Sequence, residues 1–64
     1  LSVEELEKRI ETLEGKLRAI DADLASPSVY ANPNKLRELT AQRERVAADL
    51  APIEEEWTRR ADLA

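Results

Sequence analysis

The sequence predicts an all-α protein: an antiparallel two-helix coiled-coil hairpin with a short structured turn at its tip. Three observations carry that expectation. Two stretches repeat apolar residues with alternating gaps of three and four, the heptad spacing of a helix that buries one narrow stripe. A segment rich in Ser, Pro and Asn separates them. Charged residues make up 38% of the 64-residue chain and aromatics only 3%, a balance that suits long helices better than a globular core.

The first helix is expected over about 2–25. Its seam is Val3, Leu6, Ile10, Leu13, Leu17, Ile20 and Leu24, and Ser2 followed by Glu5 fits a capping box at the start. Gly15 lies outside the seam and is a weak point relative to Ala. The tip turn is expected over about 26–33. Ser26-Pro27 reads as a cap with Pro at the first helical position, enough for one turn through Val29 and Tyr30, and Asn32-Pro33 repeats the signal for the second long helix, about 33–62. There the seam resumes at Leu36, Leu39, Arg43, Val46, Leu50, Ile53 and Trp57, with one polar layer at Arg43. Pro52 cannot donate to the carbonyl of Ala48, yet the heptad phase runs through it unchanged, so the expectation is one bent helix rather than two.

Neither seam can be buried alone, and the simplest arrangement folds the helices against each other in a hairpin about 40 Å long. When facing residue numbers total 63, Leu24 faces Leu39, Leu17 faces Val46, Leu13 faces Leu50, Ile10 faces Ile53 and Leu6 faces Trp57. This register brings Arg9 towards Glu56 and Lys16 towards Asp49, and sets Glu7 close to Glu54. A one-heptad shift also gives charge pairs but leaves Trp57 beyond the end of the first helix.

Composition removes most chemistry. With no Cys and no His there is neither a disulfide framework nor a usual zinc site. One glycine cannot build a phosphate loop, and no apolar run approaches the roughly 18 residues of a membrane span. A two-helix hairpin has no concave interior in which to desolvate an acid, a base or a nucleophile. Glu54, Glu55 and Glu56 are consecutive, so they point in different directions and read as a solvated face. The expectation is a non-catalytic, cytoplasmic domain with no cofactor and no metal of its own. The chain opens on Leu1 with the helical pattern running by Val3, which reads as a piece of a longer protein.

Charge is uneven along the chain. Residues 16–45 carry Lys16, Arg18, Lys35, Arg37, Arg43 and Arg45 against four acids, a net of +2, while the remainder carries four cations against ten carboxylates. The hairpin is expected to be basic at its tip and acidic at its base, so that the six cations could meet phosphates. Composition alone favours the plainer reading, in which neighbouring acids four residues away balance them, because a nucleic-acid binder is usually basic overall. Arg43 reads either as a charge snorkelling out of the seam or as part of a contact surface. Tyr30 reads as a plug for the tip or a stacking platform, and Trp57 as the residue sealing the open end or an anchor onto another domain.

The order of a heptad helix, the segment LASPSVYANPNKLRELT and a second heptad helix ending in EEEW resembles the C-terminal coiled-coil domain of ABC-F ATPases of the Uup type. The resemblance spans essentially the whole chain and rests on Pro27, Tyr30, Pro33 and Trp57 in this order and spacing. It implies a cytoplasmic parent with two preceding ATP-binding cassettes, where ATP and magnesium are bound and ATP is hydrolysed. It further implies an appendage that binds DNA, or ribosomal RNA within the ribosome, and does not enter membranes. Tyr30 and Trp57 carry over as structural positions. The C-terminal hairpin of valyl-tRNA synthetases, which contacts tRNA, is similar in architecture. Against this stands a structural spacer or oligomerisation coiled coil with no nucleic-acid contact, either a monomer or a weak dimer.

Overall fold

The computed structural model describes residues 2–63. It contains α1 (Val3–Leu24), a single turn α2 (Pro27–Tyr30) and α3 (Pro33–Leu63). The molecule measures 47 × 15 × 14 Å, the outline of two helices side by side, with α1 packed on α3 and α2 closing the far end.

Each boundary has a local cause. At the start of α1 the Ser2 Oγ accepts from the Glu5 backbone N–H at 3.1 Å while the Glu5 carboxylate accepts from the Ser2 N–H and Oγ, so two amides that a helix start leaves orphaned are satisfied. The same bonds hold the Glu5 carboxyl below its ordinary pKa, chiefly through the Ser2 side chain. At the tip Pro27 opens α2 with Ser26 as its cap residue. There the Ser26 hydroxyl bonds the Ser28 hydroxyl at 3.0 Å instead of a backbone amide. Asn32 then starts α3, its Oδ1 accepting from the backbone N–H groups of Asn34 and Lys35 at 3.1 and 3.3 Å, with Pro33 at the position where a missing N–H costs nothing. Pro52 lies inside α3, which continues past it to Leu63.

The core is thin. Leu6, Ile20 and Leu50 are buried, at 2%, 8% and 6% exposure, and Ile10, Leu13, Leu17, Leu24, Leu39, Val46 and Ile53 are half-buried. All ten belong to the two expected seams. Two cross-helix bonds fix the pairing: Arg43 with Asp21, and Trp57 with Glu7. The residue numbers of each pair total 64, within one of the register that puts Leu13 against Leu50, and a one-heptad shift would separate both pairs.

Tyr30 corrects an expectation. It is 56% exposed and does not plug the tip; half-buried Val29 takes that place. Neighbouring side chains on a helical turn diverge by about 100°, so only one of the two can face inward, and it is Val29. Gly15 sits in α1 with open space around it: a Cβ there would meet only the Arg18 guanidinium, at 3.8 Å. Gly15→Ala is therefore expected to stabilise the hairpin by about 0.5–1 kcal/mol through helix propensity alone. A thermal melt followed by circular dichroism checks this, and an unchanged or lowered midpoint would refute it.

Candidate nucleic-acid interface

The two long flanks of the hairpin, where α1 meets α3, differ. Along one flank every seventh residue of α1 is Glu7, Glu14 and Asp21, and here the helices are latched together. Arg43 Nε donates to Asp21 Oδ1 at 2.7 Å, a bond that raises the Arg43 pKa, and Trp57 Nε1 donates to Glu7 Oε1 at 3.2 Å. The indole N–H thereby meets one of the two carboxylates, Glu7 and Glu54, that border the same groove. Glu7, Glu11, Glu14 and Glu54 line a shallow groove on this flank with Ile10, Trp57 and Thr58. Arg18 lies among them, folded back along α1 over Gly15.

The other flank is open. Along it every seventh residue of α1 is Arg9, Lys16 and Asp23, and of α3 Lys35, Gln42, Asp49 and Glu56. Lys8 and Arg9 border a hollow floored by Leu13, Pro52 and Ile53. Lys16 and Arg45 face each other across Ala19, Ile20 and Val46. Nearer the tip, Lys35, Asp23 and Glu38 surround Val29 and Leu39. The flank thus holds five cations and four acids, and among the described residues Glu56 is the one of these nine side chains that joins an ion pair.

The six cations expected to form a basic tip do not converge. Lys16 and Arg45 share one groove and Lys35 lies further along the same flank. Arg18 belongs to the acidic flank and Arg43 is tied to Asp21. Arg37 sits on the outer side of α3 in a hollow formed by that helix alone. Charge therefore differs between the two flanks as well as between the tip half and the base half. Lys8 and Arg9, assigned from the linear sequence to the acidic base, join the basic strip, because Arg9 precedes Lys16 by one heptad. That spacing was the available signal.

Other expected pairs are replaced. Glu56 binds Arg59 and Arg60 of its own helix, at 2.7 and 2.8 Å, instead of Arg9, and the Arg60 bond draws its carboxyl below the ordinary carboxylate pKa. Trp57 is 36% exposed, so its ring borders the open end without being enclosed by it. Among the described residues no helix is long and apolar enough to cross a membrane, and no group of three or more acids, Cys or His is placed to hold a metal ion.

A family model described as "ABC transporter C-terminal domain" matches residues 2–59. No curated protein and no solved structure matches the chain.

Proposed function

The chain belongs to the ABC transporter C-terminal domain family, and from that premise we propose that it is an ABC-F (Uup-type) appendage which binds nucleic acid or the ribosome through its open flank. As a member of the family it is a non-catalytic part of an ABC protein. The parent's ATP-binding cassettes, where ATP and magnesium would be held, belong to this proposal, as does a cytoplasmic location.

One observation carries the reading: Lys8, Arg9, Lys16, Lys35 and Arg45 lie on one flank of the rod without ion-pair partners among the described residues. A phosphate backbone meeting such a strip releases counterions, which favours binding and makes it salt-dependent. The acidic groove on the other flank repels the same polymer, so the rod would approach in one orientation even though its net charge is −4. Arg18 on the acidic flank, Arg37 on the outer side of α3 and Arg43 in its bond to Asp21 are less well placed for this role.

The test is a fluorescence-anisotropy titration of labelled duplex DNA and structured RNA at several salt concentrations. Reversing both Lys16 and Arg45 (Lys16→Glu with Arg45→Glu) is expected to weaken binding at least tenfold. It should also reduce the slope of log affinity against log salt by about 0.7–0.9 for each phosphate that is no longer neutralised. Arg37→Glu, on the outer side of α3, should leave the slope unchanged. Equal effects from the two, or no binding at low salt, would remove the proposal and favour the spacer reading.

A further inference from the structure

We propose that the open flank is also a self-complementary docking surface, on which a second copy of this chain lies antiparallel about a two-fold axis passing near Lys16. The proposal is independent of nucleic-acid binding, although both would use the same flank.

The order of charges along the flank is the main argument. From the base towards the tip the side chains run Glu56, Lys8 and Arg9, then Asp49, Lys16 and Arg45, then Asp23 and Glu38, with Lys35 last. A two-fold axis at the level of Lys16 inverts that order in the second copy. Because the axis passes by Lys16 it lays α1 on α1 and α3 on α3, so Arg9 then meets Asp23 of the second copy and Arg45 meets Asp49 of the second copy. Symmetry repeats each pair, giving four ion pairs from residues that have none among the described residues. Two kinds of contact are unfavourable: Lys16 approaches its own counterpart on the axis, and Glu38 comes to the level of Glu56 of the second copy, whose charge Arg59 and Arg60 partly neutralise.

The apolar part of the surface points the same way. Leu13, Ile53 and Pro52 floor one end of the flank, Ile20 and Val46 the middle, and Val29 and Leu39 the tip. Most of these are seam residues that one partner helix leaves half-buried, and a second hairpin would cover them as the other half of a four-helix bundle. The level of Lys16 lies close to the middle of the rod, so the two copies overlap along nearly their full length. A 47 × 15 Å flank offers at most about 700 Å² per partner, close to the ~800 Å² of a standard stable interface. Exposed ion pairs contribute little each, so the dimer is expected to be weak and sensitive to salt. The latched flank cannot pair this way, because it is lined by acids on both sides of its groove.

Sedimentation equilibrium of the chain over micromolar to millimolar concentration, at low and high salt, tests the association. Dimerisation that weakens as salt rises is expected. Arg9→Glu should weaken it by about tenfold or more, since both symmetry-related contacts become repulsive. Adding Asp23→Arg to Arg9→Glu should restore it. Lys16→Ala, which removes the repulsion on the axis, should tighten it. Geometry is tested by oxidation of single-cysteine variants. Lys16→Cys, on the axis, should cross-link to itself within the dimer. Lys35→Cys should not, because the two copies of that position stand about 36 Å apart. A monomer at every concentration in low salt overturns the proposal, as does a dimer untouched by Arg9→Glu or one in which Lys35→Cys cross-links to itself. A dimer that passes these tests in a chain that binds no nucleic acid would leave this surface standing while the preceding proposal fell.

Discussion

Replacing Leu50 by Ala is expected to lower the stability of the hairpin by about 3 kcal/mol, within the range of buried Leu→Ala substitutions. Leu50 is 6% exposed and is the buried residue of α3, facing the α1 seam at the level of Leu13. A domain of this size has roughly 3–10 kcal/mol to lose, so one truncation removes a third or more of its stability. The melting midpoint should fall by about 15–20 °C, given the small unfolding entropy of a short chain. Leu36→Ala is the control. Leu36 belongs to the same seam but is 38% exposed, and its loss should cost about 1 kcal/mol or less. Thermal melts of the two variants side by side decide the matter. Equal losses would mean that the seam is not organised around Leu50.

Replacing Pro52 by Ala should act in the opposite direction, raising stability by about 1–2 kcal/mol. Proline inside a helix lacks the N–H that would bond to the carbonyl four residues earlier and crowds that carbonyl, at about 3 kcal/mol relative to Ala. Part of that cost is offset because proline also restricts the unfolded chain. Pro52 is exposed, so its replacement leaves no cavity in the core, and α3 already runs through it without a break. The expected result is a higher melting midpoint and greater helicity near 48–52, measured by circular dichroism and amide exchange. A lower midpoint would mean that the ring packs against the floor of the open groove more than its backbone cost implies. The same variant is informative for self-association, since Pro52 helps floor that groove.

Much of the architecture was legible because helices advertise themselves locally. The two seams, the Ser2–Glu5 cap and the two Pro-led starts at the tip depend on residues within a few positions of each other, and so did the continuity of α3, which the unbroken heptad phase foretold. The pairing of the helices was legible for a different reason: burying Leu13 and Leu50 on the same level leaves few registers that also keep Trp57 on the rod. What linear reading missed was angular. Counting charge by chain position put Lys16, Arg18, Arg37 and Arg43 into one basic end, whereas a helix sends neighbouring residues to different sides. Lys16 went to the open flank, Arg18 and Arg43 to the latched one, and Arg37 to the outside. The same angular rule decided the tip, where the turn gave the inward place to Val29 and left Tyr30 exposed. Ion-pair choice was the least legible, because long flexible side chains such as Arg59 and Arg60 can outcompete a cross-helix partner for Glu56 at little cost.

The shape has a mechanical consequence. The body is 47 Å long and about 15 Å thick, and Val3 of α1 and Leu63 of α3 lie at the same end because the helices run antiparallel. A rod held at one end is a lever. Tilting the base by about 10° would sweep the tip through about 8 Å, a displacement on the scale of domain hinge motions. The lever is also unequal in its two lateral directions. Asp21–Arg43 and Glu7–Trp57 act as struts on one flank, while the other has no cross-helix bond among the described residues. Bending that pulls the helices apart on the strutted side must stretch those two bonds, whereas bending that opens the other side stretches none, so the rod yields more readily in one direction and converts an unspecific push at its base into a preferred path for its tip.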